Sequence, residues 1–353
     1  MASSSAFADT TLRPTPATPM PSAGEVWQDL RRMHRARVLT PDEPLAPATA
    51  ATARVRAAIV LAGGKGTRLA RMTADLYGEP RPKQYCAFAT GARSLLQQTL
   101  TRTRASVPAA RTWVVVARHY EQLAAEQLAA EQRDSGLARL FVQPNDAGTG
   151  AGVLAPLVEL LVEHPDATVL VTPADHGFAD EAASHDTLAR AFDAADRGRV
   201  VLVGSEASGP SRDLGWIVPG GPPDAHGLRR VERFVEKPAP AAAARLFDEG
   251  ALWNTMLMVS PAHALLELFR ARYAMVVRMF LHGASLPAEE REQFLDDAYA
   301  TLCSSSGGID LSANVLQDAP DLWVLPLARA SGWTDLGTEE RMSQWLGTPP
   351  SSR

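Results

Sequence analysis

AAIVLAGGKGTRLARMTADLYGEPRPKQY, residues 57–85, decides how the rest of the chain folds. It opens with a short apolar run of the kind that forms a buried strand. The glycine-rich loop leaves that strand at its carboxyl end, the edge where open α/β sheets hold ligands. Gly63, Gly64 and Gly66 can take backbone angles closed to other residues, so their N–H groups can converge on phosphate oxygens. Arg68 and Lys83 supply cations for such an anion. The spacing is not that of a Walker loop, which needs Lys-Ser/Thr after its last glycine, nor the G-x-G-x-x-G of a dinucleotide fingerprint. Alone, such a turn reads equally well as a tight turn without a ligand.

Outward from the loop, apolar runs and helical patterns alternate. Residues 94–105, 121–132 and 150–163 read as helices, and residues 112–117, 140–143 and 168–172 as strands. The EQLAAEQLAAEQ echo is short-range similarity in a good helix former, not a repeat architecture. After a strand at 200–204 come shorter strands in GWIVPG (215–220) and RRVERFVEKP (229–238), a helix at 242–249, a strand at 252–259 and two helices between 261 and 302. This order predicts an α/β fold: a three-layer, mostly parallel (mixed) Rossmann-like sheet with helices on both faces. No linker divides residues 55–347, which are expected to form one domain.

Residues 1–24, rich in Ala, Ser, Thr and Pro, cannot offset the entropy of ordering and are expected to be a disordered tail. Residues 25–54 read as a helical arm and linker, with Val26, Leu30, Met33 and Val38 near helical spacing beside Trp27. A surface helix capping the domain is the favoured expectation, with an arm that packs on the main domain or on a partner subunit as the alternative.

The 353 residues are ample to bury a core. Lys+Arg of 35 against Asp+Glu of 40 gives a net charge of −5, which argues against general nucleic-acid binding. Cys86 and Cys303 show neither metal-ligand spacing nor a disulfide framework and read as reduced packing residues. No run approaches the roughly 20 apolar residues of a membrane span. The N-terminus lacks the basic-then-apolar order of a signal peptide. A cytoplasmic protein without nucleic-acid or membrane partners is expected.

The landmarks GGKGTRL, RPKQY, QPNDAGTG, PADH, GWIVPG, FVEKP, LWNTM and GWTDLG occur in this order. Together they resemble the sugar-phosphate nucleotidyltransferases, most closely the mannose-1-phosphate guanylyltransferases, over residues 57–345. The resemblance implies transfer of a nucleotidyl group from an NTP to a sugar 1-phosphate, releasing pyrophosphate without a covalent intermediate; the leading pair is GTP with mannose 1-phosphate, giving GDP-mannose. In-line attack on the α-phosphorus is mostly a matter of alignment and charge neutralisation.

The resemblance also implies roles for particular residues. Ala62, Gly63, Gly64, Gly66, Thr67 and Arg68 would wrap the triphosphate, while Gly148 and Thr149 open a helix beneath the base with free N–H groups. Lys83 would lie against the reacting phosphates, and Asp175 and Asp335 would hold one Mg²⁺. Glu236 would accept sugar hydroxyls and Lys237 meet the sugar phosphate, with Asn254 and Gly215 completing the sugar pocket, Gly215 by leaving room for the ring. Arg68, Lys83, Asp175 and Lys237 are the expected catalytic set.

The residues read on their own leave plainer alternatives. Asp175 ends the strand TVLVTP, where a carboxylate can reach a ligand above the sheet, yet Asp also caps helices there. Asp335 also suits an Asx-turn, Lys83 a solvated surface and Glu236–Lys237 an exposed charge pair. Strand alternation puts Glu236 and Lys237 on opposite faces unless the turn before Pro238 rotates one of them. His176 reads as a packing group, because Mg²⁺ prefers oxygen. In GIDLSANVLQDAPDLWVLPL, Leu311, Val315, Leu316, Val324 and Leu325 are expected in the core.

QPNDAGTG departs from the family's NRGTAPA wording, and ARMTADLYG replaces WPLSR after GTRL. Nucleotide preference therefore stays open, with UTP or dTTP and a glucose-type sugar as the alternative pair. A non-catalytic, sugar-nucleotide-binding regulatory protein is a further reading, opposed by the retention of the six charged motif residues. A C-terminal β-helix or cupin-like domain is not expected, and the helical arm becomes the candidate contact for a homo-oligomer.

Overall fold

The computed structural model describes residues 54–89, 91–131 and 137–347; the tail and helical arm expected over 1–53 lie outside the described residues. The strands are β1 (Arg56–Leu61), β2 (Thr112–Ala117), β3 (Arg139–Gln143), β4 (Thr168–Pro173), β5 (Val200–Glu206), β6 (Trp216–Gly220), β7 (Arg229–Val235), β8 (Leu252–Pro261) and β9 (Leu322–Pro326). The helices are α1 (Ala70–Tyr77), α2 (Leu95–Arg104), α3 (Glu121–Ala130), α4 (Gly148–Glu163), α5 (His185–Asp196), α6 (Pro240–Asp248), α7 (Ala262–Ser285), α8 (Ala288–Ser306) and α9 (Glu339–Leu346).

Among the described residues the strands form one sheet in the order β3-β2-β1-β4-β8-β5-β9-β7-β6. Strands β3, β2, β1 and β4 are parallel; the apolar runs of β2, β1 and β4 are buried along both faces, and the edge strand β3 is only partly buried. The expected mostly parallel sheet holds only for that half and for the β5–β9 pair. Strand β8 enters between β4 and β5 running against both. The hairpin β6–β7 adds antiparallel pairs to β8 and β9, so β8, β5, β9, β7 and β6 close a circuit of pairings. The sheet is mixed because β8 and β7 run against β4, β5 and β9.

Val60, Val114 and Val116 pack on residues of α2 and α3; Val201, Val203 and Val259 pack on residues of α5. Helix α4 is buried nearly all round, which suits its apolar sequence, and packs on β1, β2 and α7. Helix α2 starts from a capping box between Ser94 and Gln97. Leu311, Val315, Leu316, Val324 and Leu325 are all buried, in a π-helical turn (Leu311–Leu316) and in β9. Cys86 and Cys303 are free thiols. Among the described residues, no helix is long and apolar enough to cross a membrane.

This topology sets the site. The carboxyl ends of β3, β2, β1 and β4 lie along one edge of the sheet. Because β8 is antiparallel to β4, pairing Val171 with Met258, its first residues reach the same edge. Chain segments far apart in sequence therefore arrive side by side, ordered as their strands are.

Candidate active site

A cavity of about 320 Å³ opens on that edge. In strand order its wall is formed by Gln143 at the end of β3, Gly63 and Gly64 after β1, Asp175 and His176 after β4, and Asn254 and Met256 of β8. Arg68, Gly148, Thr149, Gly215, Glu236, Lys237 and Asp335 also line it. The structure thus brings together most of the residues expected from sequence. Ala62, Gly66, Thr67 and Lys83 are not among the lining residues.

Ala62, Gly66 and Lys83 serve the wall rather than form it. The carbonyl of Ala62 accepts from Gln84 Nε2 (2.9 Å) and from the Tyr85 hydroxyl (2.9 Å), and Gln84 Nε2 also donates to the Gly64 carbonyl (2.7 Å). The RPKQY turn therefore holds the glycine loop in place, and burial, reinforced by Tyr120, pushes the Tyr85 phenol far above its ordinary range. Gly66 has φ +64, and a Cβ there would sit 2.8 Å from Pro82 Cα. Its glycine is required by the packing of loop on turn.

Lys83 is 7% exposed and uses its ammonium wholly on protein. It donates to the carbonyls of Asp335 (2.5 Å) and Leu336 (3.0 Å) and pairs with Asp175 Oδ2 at 3.2 Å. It is neither a solvated surface lysine nor a lining group but a tie between the two carboxylate segments. Burial would raise the pKa of Asp175, yet the Lys83 ammonium, His176 and hydrogen bonds outweigh it and hold the carboxyl below its ordinary value. The Asp335 side chain, 9% exposed, is paired with Arg341 of α9.

His176 accepts from Trp333 Nε1 at its Nδ1 (3.1 Å), which leaves the proton on Nε2, 3.7 Å from Asp175 Oδ1. Burial lowers its pKa to about 4 against the pull of Asp175, so the ring is neutral. It packs and orients, as expected from sequence. Among the described residues there is no cluster of three or more His, Cys, Asp or Glu that would hold a metal by itself. Two carboxylates on the wall suit a hard cation that keeps waters and shares phosphate oxygens.

At the β8 end, Lys237 has φ +43, a left-handed residue just past β7. This rotation resolves the strand-alternation problem: Lys237 Nζ lies 3.2 Å from Glu236 Oε1, and both residues line the cavity. The other carboxylate oxygen, Oε2, is buried without a hydrogen-bond partner. Burial raises the Glu236 pKa; Lys237 opposes this and Asp310 adds to it. The Glu236 N–H donates to Gln317 Oε1 at 3.0 Å. Gly215 was expected to leave room for a sugar ring, but a Cβ there would first meet this protein's own Glu236 Oε2, at 2.5 Å. The Gly215 carbonyl accepts from the Asn254 N–H (2.7 Å).

Gln143, Asp310 and Ser312 line the cavity without having been singled out from sequence. Gln143 heads QPNDAGTG, and its Oε1 is buried and unpartnered; its place at the carboxyl end of a strand was the available signal. The N–H groups expected free at the start of α4 are partly engaged: Gly148 donates to Asp146 Oδ1 (3.3 Å) and Gly150 to the Ile309 carbonyl (2.7 Å). Thr149 Oγ1 accepts from the Leu311 N–H at 2.9 Å. A Cβ on Gly150 would lie 2.5 Å from Ile309 Cγ2, so the GTG glycines admit the 308–312 segment.

Residues 57–344 match the family described as Nucleotidyl transferase. The chain is 30% identical over 288 residues to the alginate biosynthesis protein AlgA of Pseudomonas aeruginosa, covering 79% of this chain and 56% of that protein. It is 32% identical over 285 residues to the xanthan biosynthesis protein XanB of Xanthomonas campestris pv. campestris, covering 79% and 57%. To a mannose-1-phosphate guanylyltransferase of Escherichia coli it is 27% identical over 285 residues, covering 79% and 58%. The chain thus spans a little over half the length of the curated relatives it matches. A crystal structure described as a mannose-1-phosphate geranyltransferase from Thermus thermophilus superposes with a TM-score of 0.69 at 29% identity, covering 84% of this chain and 81% of that one.

Proposed function

This chain belongs to the nucleotidyl transferase family, and from that premise we propose that it joins GTP to mannose 1-phosphate, releasing pyrophosphate and forming GDP-mannose with the support of Mg²⁺. One observation carries the reading. Along a single sheet edge the cavity is lined by Gln143, whose buried Oε1 has no partner, by the glycine loop with Arg68, by the carboxylates, and then by Glu236, Lys237 and Asn254. That is the order of base, triphosphate, reacting phosphorus and sugar. The name borne by the Escherichia coli protein favours guanine and mannose, and that borne by the Thermus thermophilus protein favours mannose 1-phosphate.

Gly63, Gly64 and Arg68 bind the triphosphate, and the unpaired Gln143 oxygen suits an N–H on the base edge. Glu236 accepts sugar hydroxyls, and Lys237 meets the sugar phosphate. This arrangement aligns a phosphate oxygen with the α-phosphorus. Asp175 and Asp335 would hold the divalent cation the family generally uses, which when bound neutralises phosphate charge. Lys83 positions both segments without touching substrate. The catalytic unit is residues 55–347.

Pyrophosphate release with Mg²⁺, measured for GTP, UTP, dTTP, ATP and CTP against mannose, glucose, galactose and N-acetylglucosamine 1-phosphates, tests this. Turnover confined to GTP with mannose 1-phosphate is expected. Turnover with another pair replaces the substrates, and silence from folded, nucleotide-binding protein refutes catalysis.

A further inference from the structure

Strand β8 carries surplus residues where it passes the cavity. Leu202 of β5 pairs with Met258 and Gly204 with Asn254, so one residue of β5 faces three of β8, residues 255–257. Bulges of this kind re-aim side chains and gather beside active sites. The base of the bulge is stitched by the Thr255 hydroxyl, which donates to the Val203 carbonyl (2.6 Å) and accepts from the Leu257 N–H (3.2 Å). Its crest is Met256, whose N–H donates to Asn254 Oδ1 at 3.1 Å.

Met256 has φ +59. A side chain is disfavoured in that left-handed conformation, which glycine takes freely. Such strain persists only where the surroundings over-determine it, and it gathers at ligand sites. Met256 is also the partly exposed residue in an otherwise buried strand, and it lines the cavity. Its sulfur accepts from Ser312 Oγ at 3.1 Å and from Asn254 Nδ2 at 3.5 Å. A bulge, an adverse backbone angle and two polar tethers therefore all hold one thioether beside Asn254, at the end of the cavity that Glu236 and Lys237 share.

We propose that Met256 determines sugar specificity. Its side chain walls the sugar subsite, offers an apolar surface to the C–H groups of the ring, and excludes hexose 1-phosphates that carry a bulky ring substituent such as a 2-acetamido group. This rests on the sugar 1-phosphate reading of the same cavity.

The test compares wild type, Met256→Gly and Met256→Leu in calorimetric binding and in turnover with mannose 1-phosphate and N-acetylglucosamine 1-phosphate. Wild type is expected to prefer the smaller ligand. Met256→Gly, which relieves the adverse backbone angle and opens the wall, is expected to fold as stably as wild type and to narrow the preference by about tenfold or more, with the KM for GTP unmoved. Met256→Leu keeps the bulk and is expected to keep the preference. An unchanged preference in folded Met256→Gly, or no preference in wild type, overturns the inference while leaving the activity standing. A wild type that neither binds nor turns over any hexose 1-phosphate fails the activity reading itself and takes this inference with it.

Discussion

Gly215→Ala adds one carbon, and the structure says where its effect falls. Gly215 does not have a left-handed φ, so alanine can adopt its backbone without strain. The new Cβ would stand 2.5 Å from Glu236 Oε2, 3.2 Å from Phe234 Cζ and 3.3 Å from Asn254 Cβ. The last two are already tight, so the carboxylate has to yield, by nearly an ångström if it is to reach ordinary contact. A displacement of about 1 Å in a positioning group costs about 100-fold, equivalent to about 2.7 kcal/mol of transition-state stabilisation. Overpacking should lower stability by only about 1–2 kcal/mol. Steady-state kinetics with mannose 1-phosphate varied at saturating GTP, and the reverse, separate the two substrates. The kcat/KM for the sugar phosphate should fall about 10- to 100-fold while the KM for GTP stays put. A folded Gly215→Ala protein with unaltered sugar-phosphate kinetics would refute the placement of Glu236 in the sugar subsite.

Lys83→Met leaves Asp175 and two carbonyls without their cation; since Asp175 is one-third exposed, the loss should sit near the low end for a broken buried pair, about 3 kcal/mol, read by urea unfolding. Asp175→Asn and Asp335→Asn should each lower Mg²⁺-supported kcat by about 100-fold or more, since a metal contributes several kcal/mol to such a transition state, and each should also lower the melting temperature, because Lys83 and Arg341 lose their carboxylate partners; full turnover in both variants sinks the metal assignment. The raised pKa of Glu236 places the acid limb of sugar-phosphate kcat/KM above 4.5, its ordinary value, and Glu236→Gln should abolish that limb. The stability contributed by the same group has the opposite sense: it is present in full below 4.5 and is lost as pH rises through the higher folded value.

The first half of the molecule was legible because its physics is local. Residues 57–60 are apolar in an unbroken run because both faces of β1 are covered, and Asp175 follows a run of the same kind. Helix α5 was within reach as well, with Thr187, Leu188, Ala191, Phe192, Ala194 and Ala195 at helical spacing on its buried side. Other features depend on contacts that no window of sequence contains. Lys237 faces the cavity only because its φ is positive, and Met256 only because β5 and β8 differ in length between two shared pairs. The antiparallel β8 looks like any buried strand in sequence; its direction is set by its neighbours. The fate of Lys83 was hidden in the same way, since its carbonyl partners lie more than 250 residues away.

The segment from Ile309 to Gln317 touches both ends of the cavity. At one end Ile309 and Leu311 are bonded to Gly150 and Thr149; at the other Ser312 holds Met256 and Asn254, and Gln317 holds the backbone of Glu236. It works as a crossbeam between two seats. Under the proposed function, any order that one substrate imposed on it would already be present when the other arrived, and the two affinities would then be linked by a common factor acting equally in both directions. Damage to the beam would therefore be felt at both seats, although it touches neither substrate's chemistry.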